Sequence, residues 1–200
     1  MPTNYTDLST RDPFEMHKRA EETNGEYVRV EVTLHPIQTS AKSTTSLAHQ
    51  PWIVDGIGEH FHPTQEEYFK VVVGALHIVL DGKERTLTAD EDITLPAHVP
   101  HLHWNPADQP ARILVEHRPA RQSDALLETL YTLAQAGHTD ENGIPGCLQS
   151  MVLQQAYADH AYGTDRPIIV QKALATLIAP IGRLAGYKAT YSGDEIEALK

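Results

Sequence analysis

The sequence predicts a mainly β fold, a sandwich or closed barrel, followed by an α-helical extension. Three observations predict it. Short alternating runs of apolar and polar residues follow one another closely between 27 and 117, the spacing of an antiparallel sandwich or barrel and not of a βαβ fold. Asp81-Gly82 stands between two such runs, and this dipeptide favours the tight hairpin turn whose twist matches that of paired strands. After Pro119 the apolar period changes to that of a helix.

Taken in order, residues 1–25 are polar, contain Pro2, Pro13 and Gly25, and read as a surface arm in which 14–22 can form a short helix. Such an arm wraps its own body or, alternatively, exchanges with a second subunit. Residues 27–34 alternate, with Val28, Val30, Val32 and Leu34 facing inward and Arg29, Glu31 and Thr33 outward. Residues 36–51 are rich in Ser and Thr and read as a loop that forms part of a pocket mouth; 51–54 lead on to the next strand. Residues 76–80 and 83–88 make the hairpin around Asp81-Gly82, and 93–96, 101–104 and 111–117 are further strands.

Beyond Pro119, residues 124–136 read as a helix capped by Ser123 and stopped by Gly137, with Leu126, Leu127, Leu130, Leu133 and Ala134 as its apolar stripe. Residues 138–146 are a turn-rich loop and 148–161 a second helix. Asp165 is placed to cap a third helix, with Pro167 in its first turn. Its stripe is Val170, Leu174, Leu177, Ile178, Ile181, Leu184 and Ala185, opposite Lys172, Thr176 and Arg183. Pro180 is expected to kink or break it. The division expected is an arm (1–25), a β-barrel (26–120) and a helical extension (121–200) that packs against the barrel or a second subunit.

A net charge of -11 and a pI near 5.5 argue against nucleic-acid backbones and anionic membrane surfaces. A single cysteine, Cys147, rules out an internal disulfide framework and suits a reducing compartment. It follows Pro145-Gly146 in a helix-start region without a catalytic partner nearby in sequence, so it reads as an inert thiol. The polar first residues lack a basic segment followed by an apolar run, and no stretch is long and apolar enough to span a bilayer. The expectation is a cytoplasmic protein without nucleic-acid or membrane partners.

Chemistry concentrates in two stretches. In residues 59–74, His60 and His62 share one face of a strand, and imidazoles so placed are ready metal ligands. Glu67 then opens a face continued by Phe69, Val71 and Val73; a carboxylate at the end of an apolar face needs a partner, which a cation would supply. In residues 92–105 a strand runs into Pro96, turns, and restarts at His101, with His103 on the same face.

The first stretch resembles cupin motif 1, a His-x-His pair with a Glu four or five positions on and a Gly after six more: His60, His62, Glu67 and Gly74 match. The second resembles cupin motif 2 through Pro96, His101 and Asn105. Two departures are His98, where the family usually has Gly, and the start of motif 1, where Gly56 and Gly58 are offset from the expected Gly. The resemblance covers residues 24–119, about half the chain. It implies a jelly-roll β-barrel in which His60, His62, Glu67 and His101 bind one divalent metal. It is specific for fold and site but not for reaction, because one fold hosts many chemistries. Three imidazoles and a carboxylate suit a first-row transition metal (Fe, Mn, Ni, Cu or Zn) and leave one or two positions for water or substrate.

The function expected from this resemblance is a metal-dependent, dioxygenase-like oxidoreductase acting on a small organic molecule. Glu67 would serve as ligand or base and His103 as the nearest spare acid/base group. A metal-dependent isomerase or lyase is the alternative, as is a non-catalytic barrel that binds a small ligand or metal. A DNA-binding regulator lacks its basic recognition helix. Among the other histidines, parity places His117 inside the barrel with Ile113 and Val115, His77 outside, and His98 in a turn. A homodimer is expected.

Overall fold

Alternation along a strand sorts side chains between the inside of a double sheet and its outer faces. The computed structural model describes residues 13–36, 57–140, 142–192 and 195, so the expected mouth loop and the approach to the first metal motif lie almost wholly outside the described residues. The strands are β1 (Phe14–Lys18), β2 (Val28–Leu34), β3 (His60–Phe61), β4 (Glu66–Val73), β5 (Ala75–Leu80), β6 (Lys83–Thr88), β7 (Asp92–Leu95), β8 (His101–Trp104), β9 (Ala111–Arg118) and β10 (Tyr162–Gly163). The helices are α1 (Ser123–Gln135), α2 (Cys147–Ala156) and α3 (Ile168–Leu184). One antiparallel sheet has the order β1-β2-β9-β4-β7 and the other β10-β3-β8-β5-β6. The fold is the mainly β cupin sandwich, with helices after it, that the sequence predicts.

Val30, Val32, Phe69 and Ile113 of the first sheet and Leu76, Ile78 and Leu87 of the second bury into one core. Between β4 and β5 a single residue, Gly74, carries the chain from one sheet to the other at φ +87°. A Cβ there would lie 2.9 Å from the Ala111 Cβ, so both conformation and space demand glycine. Asp81 and Gly82 both have positive φ, as the predicted hairpin turn requires.

Several expectations are corrected. Residues 14–18 form strand β1, not a helix, and only 21–23 make a short 3-10 turn. The exposed edge of β2 offers unpaired backbone groups that β1 satisfies, and Phe14 is carried into the core. Glu31 and Thr33 face away from the core as predicted but are buried. The cause is fully buried Arg112, whose Nε donates to Glu31 (2.6 Å) and whose Nη1 donates to Thr33 (2.9 Å), an ion pair that keeps both out of water.

In the extension, Ser123 lies inside α1 instead of capping it; its hydroxyl accepts a hydrogen bond from Gln65 (2.9 Å), which ties the β3–β4 turn to the helix start. Helix α2 stops at Ala156, short of 161, because the chain must turn back for Tyr162 and Gly163 to pair with Phe61 and His60 of β3. Asp165 pairs with Arg166 and caps nothing; Pro167 is the N-cap of α3. Pro180 does not break α3, which runs on to Leu184. The face of α3 that packs on α2 is built from Ala175, Ala179 and Gly182, while Leu177, Ile181 and Leu184 of the predicted stripe are exposed. A Cβ at Gly182 would meet Val152 Cγ2 at 2.7 Å and the Leu148 carbonyl at 3.0 Å; this close approach selects the small face. Among the described residues no helix is long and apolar enough to cross a membrane.

Candidate metal centre

Strand register assembles the site. His60 on β3 stands directly opposite His101 on β8, their ring centroids 4.4 Å apart. His62, just past β3 and facing the same way as His60, stacks on His101 at 5.4 Å. Glu67 comes from the other sheet, on β4, where it lies opposite His117 on β9. One ligand atom from each of His60, His62, Glu67 and His101 falls within 4.8 Å of the others, and all four side chains are buried. This group is able to hold a metal ion.

Hydrogen bonds fix which ring nitrogens face inward. His60 Nδ1 donates to the Gly58 carbonyl (2.9 Å), His101 Nδ1 to the Val99 carbonyl (2.9 Å) and His62 Nδ1 to the His160 carbonyl (2.6 Å). A carbonyl only accepts, so Nδ1 carries the proton and Nε2 offers a lone pair. The Nε2 atoms of His62 and His101 lie 3.4 and 3.3 Å from Glu67 Oε2. All three atoms are buried without a hydrogen-bond partner among the described residues. Two lone pairs aimed at a carboxylate oxygen repel one another unless a cation lies between them. The donor set therefore fits the divalent transition metal expected from the sequence.

Protonation differs among the group. Burial, then the neighbouring His101 and His62, push the His60 pKa down to about 3, so its imidazole is neutral. Burial pushes the Glu67 carboxyl up, but the facing His101, His117 and His62 imidazoles outweigh it and hold the group well below the usual carboxylate range. For His62, burial lowers the pKa, but the adjacent Glu67 carboxylate prevails and raises it, so without an ion a proton competes for the same Nε2.

The remaining candidates separate clearly. His117 is inside as parity predicts: its Nε2 donates to Glu67 Oε1 at 3.0 Å, leaving Oε2 turned toward the three ligand imidazoles. His103 is buried on the same face as His101, with its ring 4.9 Å from Phe69, and lines the cavity without joining the ligand group. His77 points outward, against Thr86 and Trp104. His98 is exposed in its turn at φ +67°, a conformation that explains the family's usual glycine, and its backbone N–H holds the His62 carbonyl at 2.8 Å. Asn105 is structural, donating to the Leu34 and Gln109 carbonyls. Cys147 is an exposed free thiol at the start of α2.

His160 was not foreseen. It follows α2, holds His62 through its carbonyl, and packs its ring against His62 and His117 at 5.2 and 5.0 Å. Burial foremost, then His117 and His62, lower its pKa well below the ordinary value. A lone histidine in a helical segment gives no sequence signal for this role.

From the site runs a cavity of about 210 Å³. Its sides are barrel residues such as Val30, Val32, Ile113 and Val115, and its far wall is Leu126 and Leu130 of α1 with Leu153 of α2. The extension thus walls the far side of the cavity and holds His62, one of the candidate ligands.

Residues 54–116 match the family model of the cupin domain (Cupin_2). The chain is 36% identical over 70 residues to "Polyketide synthase CurC" of Streptomyces cyaneus, covering 35% of this chain and 46% of that protein. It is 25% identical over 91 residues to "Tetracenomycin polyketide synthase protein TcmJ" of Streptomyces glaucescens, covering 46% of this chain and 54% of that one. The chain thus spans about half the length of the curated relatives it matches. Among solved structures, KdgF from Halomonas sp. aligns with 16% identity and a TM-score of 0.42 over 56% of this chain and 81% of that one. With both motifs in register on a double antiparallel sheet and the family model matching across them, residues 54–116 are a cupin domain.

Proposed function

We propose that this protein is a metal-dependent enzyme acting on a small organic molecule, with His60, His62, Glu67 and His101 holding one divalent transition ion. One observation carries this reading: three imidazoles, each with Nδ1 committed to a backbone carbonyl, turn Nε2 toward one carboxylate at the end of an apolar cavity. Bound there, such an ion supplies Lewis acidity to a substrate oxygen and, if redox-active, a path for electrons to dioxygen. Glu67 is fixed by His117, so its second oxygen is kept in place. The mostly aliphatic walls lower the local polarity, which strengthens charge interactions inside. His103 lines the cavity beside the ligands and is the side chain placed to take or return a proton.

Dioxygenase-like oxidation is the first reaction that fits. The second is proton transfer next to a polarised carbonyl, as in an isomerase, lyase or cyclase. It is favoured by the imidazole of His103 in the cavity and by relatives named as polyketide synthase proteins. Metal analysis of the purified protein beside a His60→Ala, His101→Ala variant tests the site; about one ion per chain, lost in the variant, is expected. Turnover that stops without oxygen supports the oxidoreductase, and turnover indifferent to oxygen supports proton transfer. No ion in either protein, with none taken up on reconstitution, overturns the metal reading.

A homodimer is part of this reading. The exposed Leu177, Ile181 and Leu184 lie in residues 166–193, the longest stretch of the chain without a carboxylate. On a chain of net charge -11, this is the face where a second copy meets least repulsion.

A further inference from the structure

The cavity narrows the substrate class. We propose that it takes an uncharged, mainly hydrocarbon molecule of one ring or two fused rings. The oxygen-bearing edge lies at the histidines, and the hydrocarbon edge lies against Leu126, Leu130 and Leu153. The orientation of the oxygen edge rests on the metal reading above; the size and charge of the ligand do not.

Volume sets the size. An apolar cavity of roughly 150 Å³ stays dry and accepts benzene. At about 210 Å³ this one has room for a substituted ring or a fused pair. Charge sets the second limit. Among the described residues no Lys or Arg lines the cavity, and a carboxyl group, Glu67, already lines it. A substrate carboxylate or phosphate lying away from the histidines would be stripped of water with no cation to meet it. The far end also offers little to a polar substituent. Ser150 donates its hydroxyl proton to the Pro145 carbonyl (2.7 Å), and the Gln154 amide donates to Gln171 (3.2 Å). The rest of that end is mainly apolar, with Leu126, Leu130 and Leu153 supplied by the helical extension and not by the barrel. The extension is therefore the wall that selects ligand size.

The test uses three probes, naphthalene, 2-naphthol and 6-hydroxy-2-naphthoate, titrated by their own fluorescence into metal-free and metal-loaded full-length protein. Naphthalene is expected to bind both forms equally. 2-Naphthol should bind the metal-loaded form about tenfold more tightly than the metal-free form, and 6-hydroxy-2-naphthoate should bind the metal-free form at least about tenfold more weakly than 2-naphthol. Leu130→Trp should weaken naphthalene binding about tenfold or more by filling the cavity while leaving metal content unchanged. Leu130→Phe, checked by thermal melting, gives the same comparison with a smaller loss should the tryptophan variant not fold. Naphthalene binding that is absent, or indifferent to both substitutions, overturns the proposal, as does equal or tighter binding of the carboxylate by metal-free protein. Naphthalene binding that persists while 2-naphthol gains nothing from metal overturns the orientation and the metal reading, and leaves the size and charge limits standing.

Discussion

The barrel and the helical extension bury their apolar residues by different rules. On β2, Val28, Val30, Val32 and Leu34 are all at most 2% exposed, as strand alternation dictates. On α3 the large residues face out, with Leu177 71% and Leu184 91% exposed, while Ala175, Ala179 and Gly182 are buried. A strand in a double sheet has a fixed inside, so its pattern also gives its packing. A helix lying close on another helix needs small side chains at the contact, whatever its hydropathy pattern favours. Apolar periodicity therefore identified the buried face of β2 but the exposed face of α3.

Two glycines sharpen this contrast, and they carry the largest expected effects on stability. Gly182→Leu would drive a side chain into Val152 and the Leu148 backbone, and is expected to cost about 3 kcal/mol, the upper end for overpacking. Gly74→Ala combines positive φ with a 2.9 Å approach to Ala111, and is expected to cost about 2 kcal/mol. Denaturant titration of both variants checks this. The close-packing account of α3 fails if Gly182→Leu leaves the midpoint unchanged.

A second pair compares the two regions at the site itself. His117, from the barrel, orients the Glu67 carboxylate by side chain, whereas His160, from the extension, holds His62 by its backbone carbonyl. His117→Ala is expected to weaken metal binding about tenfold to a hundredfold, the usual cost of losing an outer partner. His160→Ala keeps the carbonyl and should change affinity by less than about tenfold. Competition against a metal-chelating dye reads both. Equal losses would mean that the His160 ring, not its carbonyl, positions His62.

Acid should destabilise the metal-free protein. The folded pKa of His60 is about 3 against an ordinary 6.5. Its contribution is therefore complete above pH 6.5 and is lost as pH falls toward 3. His160 is lowered too and acts in the same direction; His62 is raised, so its stabilising protonation is gained above pH 6.5 and is complete below it. Glu67 adds to the loss only below the ordinary carboxylate range, where the unfolded chain begins to protonate. Between pH 6.5 and 5 the His62 contribution is already complete, so the two falling contributions should lower stability across that range. Melting curves there should show it. Stability that holds or rises toward pH 5 would mean that His60 and His160 take up protons in the folded state as readily as in the unfolded chain.

Legibility follows the same division. His60, His62, Glu67 and His101 could be found because strand parity and two local motifs act over a few residues. His117 could be found by parity alone, since Ile113 and Val115 set the inward face of β9. His160 could not, because its place depends on where α2 ends and on the pairing of Tyr162 with Phe61, a contact between residues far apart in sequence. Strand β1 was hidden for a related reason: Phe14 and Met16 suit either a helix or a strand, and the open edge of β2 decided between them. Both misses are tertiary effects acting on short segments with weak local preference.

The smallest effect on the fold is expected at the exposed stripe of α3, where the partner matters more than the chain's own packing. Leu177, Ile181 and Leu184 contribute little to the core, so Leu177→Glu with Ile181→Glu should change monomer stability by no more than about 0.5 kcal/mol per site. If a second copy covers this face, the same pair places carboxylates in an apolar contact, and sedimentation should show the dimer dissociating by about a hundredfold or more in Kd. Gly182→Leu, which disturbs α3 from its other side, serves as the contrast: it should lower stability first and association only as a consequence. A double-glutamate protein that sediments as the unsubstituted chain does would show that α3 turns its leucines to solvent, and that the acidic chain associates elsewhere or not at all.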